Sequence, residues 1–171
     1  MEVVLTSDQE KAKEYMLDWY FNRDAQVFTL AGYAGTGKTF LINHVVRDCF
    51  CLVPEESVFF VTPTGKAATV LIQNGTPAGT IHSLIYRKEE VKEEFVDEDG
   101  VVTVKEKLVF KKRASISDEI KLLVVDESSM VSDDTVQDLL SFGVKCLFSG
   151  DSAQLPPVSG KKFPRPRLRT H

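Results

Sequence analysis

The segment from Gly32 to Thr39 contains residue types that suit the binding of a phosphate group. Its sequence, Gly-Tyr-Ala-Gly-Thr-Gly-Lys-Thr, matches the pattern G-x-x-x-x-G-K-[ST] at every fixed position. The glycines let the backbone turn tightly and point its N–H groups at phosphate oxygens, and the next helix adds the partial positive charge of its N-terminus. Lys38 is expected to reach the β- and γ-phosphates of a nucleotide, and the Thr39 hydroxyl to hold Mg²⁺. The predicted nucleotide-binding residues are Gly32, Tyr33, Ala34, Gly35, Thr36, Gly37, Lys38, Thr39 and Phe40.

The residues on either side of this loop fit the same interpretation. Before it, the apolar run 27–31 is rich in strand formers; after it, Phe40, Leu41 and Val45 recur at helical spacing. A phosphate loop requires this order of strand, glycine loop and helix. The alternative, a glycine-rich turn before an ordinary helix, leaves the full match of the pattern unexplained.

A pair of acidic residues follows a second buried-strand pattern. The run 122–125 is Leu-Leu-Val-Val, and Asp126 and Glu127 come directly after it. Asp126 is expected to hold Mg²⁺ through water, facing Thr39 across the site. Glu127 is expected to orient or deprotonate an attacking water. Two adjacent acids mean little alone, but together with a phosphate loop in a strand–helix alternation they predict nucleotide hydrolysis.

Three further residues are candidates for the same site. The apolar run 146–148 predicts a strand, and the loop after it contains Asp151 and Gln154, which are placed to sense a γ-phosphate at the carboxyl edge of the sheet. Near the N-terminus, Ser7-x-x-Glu10 is a capping-box pattern, so Gln9 lies in the first turn of a helix. Gln9 either hydrogen-bonds an adenine edge or is an exposed surface glutamine.

Between these motifs the chain alternates strands and helices. The run 58–61 predicts a buried strand, Thr64-Gly65-Lys66 opens a helix that Asn74-Gly75 ends, and 80–85 predicts a short helix. His82 in that helix, taken alone, fits a structural or surface histidine. The alternation predicts an α/β fold with a parallel sheet flanked by helices.

An acidic segment interrupts the alternation. Seven acids lie within 89–99, and Asp99-Gly100 separates two strand-like runs. Asp-Gly between such runs is a strong hairpin signal. We predict a β-hairpin over residues 91–110 that projects from the sheet domain; the alternative is a disordered acidic loop.

Size and charge limit the function classes. A chain of 171 residues suffices for one α/β domain. The net charge is −4, but the last eleven residues hold five basic and no acidic residues, which leaves −9 on residues 1–160. Contact between nucleic acid and that body must therefore be local. No apolar run approaches the ~20 residues of a membrane span, and no signal peptide is apparent, so we expect an intracellular protein without a membrane partner.

The motifs together resemble the superfamily 1 DNA helicases of the RecD and Dda type, which are ATP-driven motors that move 5′→3′ on single-stranded DNA. The resemblance covers about residues 5–160. The segments that carry it, in the order of the family, are Gly32–Thr39, Thr62-Pro63-Thr64-Gly65-Lys66-Ala67-Ala68, Thr80-Ile81-His82, Val125-Asp126-Glu127-Ser128-Ser129-Met130 and Gly150-Asp151-Ser152-Ala153-Gln154-Leu155-Pro156-Pro157.

This resemblance implies a P-loop NTPase (RecA-like) domain over 1–160, with a pin-like β-hairpin insertion at 86–113, followed by a basic irregular tail at 161–171. It implies ATP and Mg²⁺ as cofactors and single-stranded DNA as partner, with a second motor domain or other replication or repair proteins as further partners. The implied roles are adenine reading by Gln9, phosphate binding and catalysis by Lys38, Mg²⁺ binding by Thr39 and Asp126, base catalysis by Glu127, coupling of γ-phosphate to DNA by Gln154, and DNA contact by Pro63, Thr64, Thr80 and His82.

The members of this group continue into a second RecA-like domain, whose arginines complete the ATP site. An arginine of this kind is worth 10³–10⁵ in rate. The chain alone is therefore expected to bind nucleotide and hydrolyse it poorly. Two alternatives stay open: a nucleotide- and DNA-binding module without turnover, and a small-molecule phosphotransferase, in which Glu127 and the Gln154 loop have no evident role.

Overall fold

The computed structural model describes residues 3–52, 56–96, 102–151 and 167–168. The helices in these ranges are α1 (Ser7–Asn22), α2 (Lys38–His44, continued by a π-helical turn at Val45–Cys49), α3 (Gly65–Gln73), α4 (Ile81–Ile85) and α5 (Asp133–Leu140), with a 3₁₀ turn at Ser128–Met130. The strands are β1 (Val27–Gly32), β2 (Val58–Thr62), β3 (Ala78–Thr80), β4 (Tyr86–Val96), β5 (Val102–Lys112), β6 (Leu122–Val125), β7 (Lys145–Gly150) and β8 (Arg167–Leu168).

Six of these strands form one sheet in the order β3-β2-β6-β7-β1-β8, and every pairing in it is parallel. Strand β7 lies between β1 and β6, so the phosphate loop and the acidic pair follow strands that are not neighbours. The carboxyl ends of all six strands meet at one edge, as parallel pairing requires. The predicted α/β fold with a parallel sheet flanked by helices is confirmed.

The sheet is buried on both faces, which explains why its central strands are uniformly apolar. Successive residues of β6 point to opposite faces: Leu122 and Val124 join one core cluster, and Leu123 and Val125 join the other. The first cluster is covered by α1 and α2, through residues such as Met16. The second cluster is covered by α4 and α5, through Ile81, Ile85, Val136 and Leu139.

Helix α1 is capped one residue earlier than the sequence pattern suggested. Thr6 is the N-cap: its hydroxyl accepts from the Gln9 backbone N–H at 3.3 Å, and the Thr6 N–H donates to Gln9 Oε1 at 3.0 Å. The predicted Ser7-x-x-Glu10 capping box is therefore wrong, because Thr6 has the extended backbone of an N-cap and Ser7 is already helical.

The other end of α1 is held by a lysine distant in sequence. Lys145, at the start of β7, donates to the carbonyl oxygens of Arg23 at 2.7 Å, Trp19 at 3.2 Å and Ala25 at 3.3 Å. Its ammonium also lies 5.0 Å from the centre of the Trp19 ring. The last turn of α1 contains no basic residue, so Lys145 supplies the positive charge that a helix C-terminus favours.

The acidic segment forms an antiparallel hairpin. Strands β4 and β5 pair from Tyr86 with Lys112 to Val96 with Val102, so the ladder begins five residues before the predicted 91 and ends two residues after 110. The Asp99-Gly100 turn lies outside the described residues. In the described strands, the alternative of a disordered loop does not hold.

Two sequence expectations concern the chain ends and the membrane. Within 161–171, which was expected to be an irregular tail, Arg167–Leu168 pair with Ala31 and Gly32 at the end of β1. No helix in the described ranges combines the length and the apolar character needed to cross a bilayer.

Replacing Lys145 with Met is expected to destabilise the fold by about 1–3 kcal/mol, because the carbonyls at the end of α1 lose a charged donor. Urea unfolding followed by Trp19 fluorescence measures the change. Lys121→Met is the matched control, since that lysine is exposed and donates to one local carbonyl, of Asp118. Equal effects of the two substitutions would contradict the capping role of Lys145.

Candidate nucleotide site

The predicted phosphate loop is an open turn built on two left-handed glycines. Gly35 has φ +79° and Gly37 has φ +77°, and Gly37 is the N-cap of α2. The Thr36 hydroxyl donates to the Tyr33 carbonyl at 2.9 Å and so closes the turn. The side chain of Tyr33 is exposed, as is that of Phe40 after the loop. The backbone at these two positions therefore has a conformation that only glycine adopts without strain, and α2 begins directly after the loop.

Lys38 folds back over this loop. Its ammonium donates to the carbonyl oxygens of Gly32 at 2.7 Å and Tyr33 at 2.8 Å. Burial lowers the pKa of Lys38, while the negative charges of Asp126 and Asp151 oppose that shift. A charged amine in this position is partly desolvated, which strengthens its attraction for an anion in the loop.

Thr39 and Asp126 meet across the site. The Thr39 hydroxyl donates to Asp126 Oδ2 over 3.4 Å, although the two residues follow strands separated by β7. A hydroxyl and a carboxylate oxygen side by side are hard oxygen ligands of the kind that Mg²⁺ takes. The donor set therefore fits a magnesium ion.

Glu127 begins a tight turn at the end of β6. Its backbone is left-handed, with φ 51° and ψ 36°, and its N–H donates to Asp126 Oδ1 at 3.0 Å. The side chain is exposed, whereas Asp126 is half-buried. The left-handed turn directs two consecutive carboxylates to different places, Asp126 toward Thr39 and Glu127 toward solvent. A non-glycine residue in this region of φ and ψ is uncommon and is enriched at functional sites.

Sequence reasoning gave no role to the residue that holds this turn. Ser128 is buried, and its hydroxyl donates to the Ser149 carbonyl of β7 at 2.9 Å. This bond ties the acidic turn to the strand that lies between β1 and β6. The only local signal for this contact was the presence of a serine directly after the acidic pair. Its partner, Ser149, lies 21 residues further along the chain, so the sequence did not indicate the bond.

Gln9 lies beside the phosphate loop. Its Nε2 donates to the Thr36 carbonyl at 3.3 Å, while its Oε1 is engaged by the Thr6 N–H. The start of α1 is thus next to the loop, close to where a nucleotide bound there would lie. A Cβ at Gly37 would lie 2.9 Å from Gln9 Nε2, so this glycine also provides space.

The four residues predicted to touch DNA lie after two neighbouring strands. Pro63 and Thr64 follow β2, and Thr64 caps α3; Thr80 ends β3 and caps α4, which contains His82. Both caps use the threonine hydroxyl, which accepts a backbone N–H at 3.3 Å and 3.2 Å respectively.

Three of these four residues, Thr64, Thr80 and His82, line two cavities together with other residues of this edge. One, of about 590 Å³, is lined by Thr39, Asp126 and Glu127 on one side and by Thr64 and α3 on the other. A second, of about 410 Å³, lies at the root of the hairpin and is lined by Thr80, His82, Ser83, Tyr86, Arg87, Lys88, Phe110 and Arg113. The structure thus brings Thr64 to the acidic pair, and Thr80 and His82 to the hairpin.

The loop after β7 is described only at its start. Asp151 lies at the end of the strand between β1 and β6, and its charge acts on Lys38. Gln154 lies outside the described residues, so its position relative to Asp126 stays a sequence-based expectation.

Gly37→Ala is expected to destabilise the protein by at least about 1–2 kcal/mol, the cost of a left-handed non-glycine residue, and to weaken nucleotide binding. Gly35→Ala imposes the same backbone cost without a contact within 4 Å, so Gly37→Ala should cost more. Adding Gln9→Ala to Gly37→Ala should recover part of the extra loss in unfolding free energy.

Gly65→Ala is the neutral control, because a Cβ there meets nothing within 4 Å. Urea unfolding and titration with a fluorescent ATP analogue measure both effects; equal costs at residues 35 and 37 would contradict the close approach of Gln9.

Comparison with known proteins finds a family model and several relatives that match most of the chain. A family model described as "AAA domain" matches residues 4–165. The uncharacterized protein MJ1519 of Methanocaldococcus jannaschii is 36% identical over 147 residues, which cover 81% of this chain and 12% of the relative. The ATP-dependent DNA helicase RRM3 of Saccharomyces cerevisiae is 26% identical over 93% of this chain and 21% of its own length. The ATP-dependent DNA helicase PIF7 of Trypanosoma brucei brucei is 31% identical over 92% of this chain and 16% of its own length.

The chain therefore spans about a fifth or less of the length of these relatives. The family model, in contrast, covers nearly all of the chain, including the phosphate loop and the acidic pair. The resemblance to superfamily 1 helicases is confirmed: the chain belongs to the AAA domain family and is related in sequence to ATP-dependent DNA helicases.

Proposed function

We propose that the chain is the ATP-binding and ATP-hydrolysing first motor domain of a 5′→3′ DNA helicase, in which hydrolysis drives movement on single-stranded DNA and separation of the duplex. The observation that carries the proposal is the contact between Thr39 and Asp126 over 3.4 Å, with Glu127 beside it on the wall of the same cavity. A phosphate loop, a pair of metal-binding oxygens and a free carboxylate are the parts that nucleoside triphosphate hydrolysis needs.

Each part has a residue suited to it. Lys38 and the N–H groups at the start of α2 bind the β- and γ-phosphates, and the left-handed Gly35 and Gly37 keep the loop backbone close to them. Thr39 and Asp126 hold Mg²⁺, which neutralises charge on the phosphate oxygens. Gln9, which already lies against Thr36, reads the adenine.

Glu127 is the residue that turns binding into hydrolysis. Its exposed carboxylate orients a water molecule for attack on the γ-phosphorus and accepts the proton that this water loses. The bond to the leaving ADP oxygen breaks as the new P–O bond forms, and inorganic phosphate leaves. Gln154, on the loop after β7, couples the γ-phosphate to DNA in this proposal.

The DNA path follows the same edge of the sheet. The proposed contacts Pro63, Thr64, Thr80 and His82 follow β2 and β3, on the side of the acidic pair away from the phosphate loop. Thr64, Asp126 and Glu127 line the same cavity, so single-stranded DNA that binds at α3 lies next to the hydrolytic residues. The hairpin β4–β5 stands beyond α4 as the pin that separates the duplex.

One observation favours a second candidate, a nucleotide- and DNA-binding module without efficient turnover. Among the described residues, no arginine lines the cavity that contains Thr39, Asp126 and Glu127. We propose that efficient turnover needs arginines from a second RecA-like domain.

ATPase measurement on residues 1–171, with and without single-stranded DNA, decides between the two candidate functions. Slow, DNA-stimulated turnover supports the motor domain, and nucleotide binding without any turnover supports the module.

Lys38→Ala and Glu127→Gln should separate binding from chemistry. Lys38→Ala is expected to weaken binding of a fluorescent ATP analogue, because the loop loses its cation. Glu127→Gln is expected to leave that affinity within about twofold and to lower the hydrolysis rate about 10²–10⁴-fold, the usual contribution of a positioned base.

Lys121→Ala and Glu119→Gln are the matched controls, since both residues are exposed and line a different cavity. They should leave binding and hydrolysis unchanged. Hydrolysis that survives Glu127→Gln at the unsubstituted rate would refute the assignment of Glu127 as the base.

A further inference from the structure

The hairpin is a long lever attached to the sheet domain at one end. Its eleven residue pairs, from Tyr86 with Lys112 to Val96 with Val102, span about 35 Å at the rise of an antiparallel strand. Over the residues that the structure describes, it forms a sheet of its own and has no ladder to the six-stranded sheet. Nearly all described residues of β5 are exposed. The angle of the hairpin must therefore be set at its root.

The backbone connection at the root is narrow. Strand β4 follows α4 without a linker, and the chain leaving β5 is tied back by one hydrogen bond, from the Arg113 N–H to the Ile85 carbonyl at 2.8 Å. The segments that enter β4 and leave β5 are thus adjacent and hydrogen-bonded to each other, and a junction of this kind forms a hinge. A rotation of 10° at such a hinge moves the end of a 35 Å lever by about 6 Å.

A single carboxylate bonds both strands at this hinge. Asp138 of α5 accepts from the Tyr86 hydroxyl at 2.5 Å through Oδ2 and from the Lys112 ammonium at 3.0 Å through Oδ1. Tyr86 and Lys112 are the first and last residues of the ladder and face each other across it. Lys112 also donates to the Ser141 hydroxyl, one helical turn after Asp138, at 3.3 Å.

This arrangement differs from an ordinary surface ion pair, which contributes little. Both oxygens of Asp138 are used, each by a different strand, and the two contacts lower the pKa of Asp138. The helix that presents Asp138 is itself fixed, because Val136 and Leu139 are buried. The Gln26 amide donates to the carbonyl of Leu140, the last residue of the helix, at 2.8 Å and to the carbonyl of Val144, just before β7, at 3.0 Å.

We propose that Asp138 is a positioning residue that locks the hairpin at a fixed angle to the sheet domain by bonding Tyr86 and Lys112 together. The lock itself does not depend on the proposed function. Its use does: if the hairpin is the pin of a helicase, the load of duplex separation passes through Asp138 into α5. That helix begins six residues after Glu127, so the hairpin and the hydrolytic turn are supported by one short segment.

The lock is tested by the distance between two spin labels, one on the hairpin and one on the sheet domain. Thr103→Cys and Gln73→Cys provide exposed labelling sites on β5 and α3, in a chain with Cys49→Ser and Cys51→Ser. Cys146 stays, because it is fully buried. We expect a narrow distance distribution for the parent and a distribution broadened by several ångströms for Asp138→Ala.

Asp138→Asn tests the charge, and Asp133→Asn is the same chemical change on an exposed position of the same helix. Asp138→Asn, Tyr86→Phe and Lys112→Met should each broaden the distribution less than Asp138→Ala, and adding either partner substitution to Asp138→Ala should add nothing. Thermal unfolding checks that the sheet domain stays folded; if Asp138→Ala does not fold, the two partner substitutions carry the test. An unchanged width in the folded Asp138 or partner variants, or equal broadening by Asp133→Asn, overturns the proposal.

Duplex unwinding by the complete helicase that the proposed function invokes tests the use of the lock. With the lock lost, duplex unwinding should fall at least tenfold while DNA-stimulated ATP hydrolysis stays within twofold. A broadened distance distribution with unchanged unwinding would support Asp138 as the residue that fixes the hairpin angle, and would reject the need for that fixed angle in duplex separation. Absence of any ATPase in the parent would reject the proposed function and leave the distance result standing.

Discussion

The hydrogen bonding of β7 between β1 and β6 is the constraint on which the candidate site depends. Because strands are about 4.8 Å apart, the phosphate loop and the acidic pair begin about 10 Å from each other. The side chains of Thr39 and Asp126 bridge that gap, with 3.4 Å between the hydroxyl and the carboxylate oxygen. The bond from the Ser128 hydroxyl to the Ser149 carbonyl ties the acidic turn to β7. A shift in the register of β7 would move both halves of the site together.

The parallel sheet also explains how an acidic protein offers a site to anions. Strand–helix connections place the N-termini of α2, α3 and α4 at the edge where the strands end. Each N-terminus carries a partial positive charge from unpaired N–H groups. Residues 1–160 have a net charge of −9, yet this edge presents oriented backbone dipoles together with Lys38. Attraction for phosphate is therefore local and short in range.

The parts that sequence alone could predict are those set by local patterns. The apolar runs before Gly32 and Asp126 predicted buried strands. A strand covered on both faces is apolar at successive positions and does not alternate between apolar and polar residues, so its pattern is easy to recognise. The position of Gln9 followed from a capping pattern, although the cap is Thr6 and not Ser7. Three contacts between distant residues could not be predicted: Lys145 with the end of α1, Ser128 with Ser149, and Asp138 with the hairpin root all join residues 21 or more positions apart. Nothing in the local pattern of either partner selects the other.

The left-handed backbone of Glu127 restricts which residues the chain can accept at this position. For β-branched and bulky residues this region of φ and ψ is a true outlier, whereas asparagine, aspartate and glycine enter it most readily. The easiest replacements on conformational grounds are thus glycine and asparagine, which lack a carboxylate, and aspartate, whose carboxylate is one methylene shorter. Two constraints limit substitution at this position: the conformation of the main chain and the chemistry of the side chain. A relative that has lost the glutamate should therefore contain asparagine or glycine here more often than valine or isoleucine.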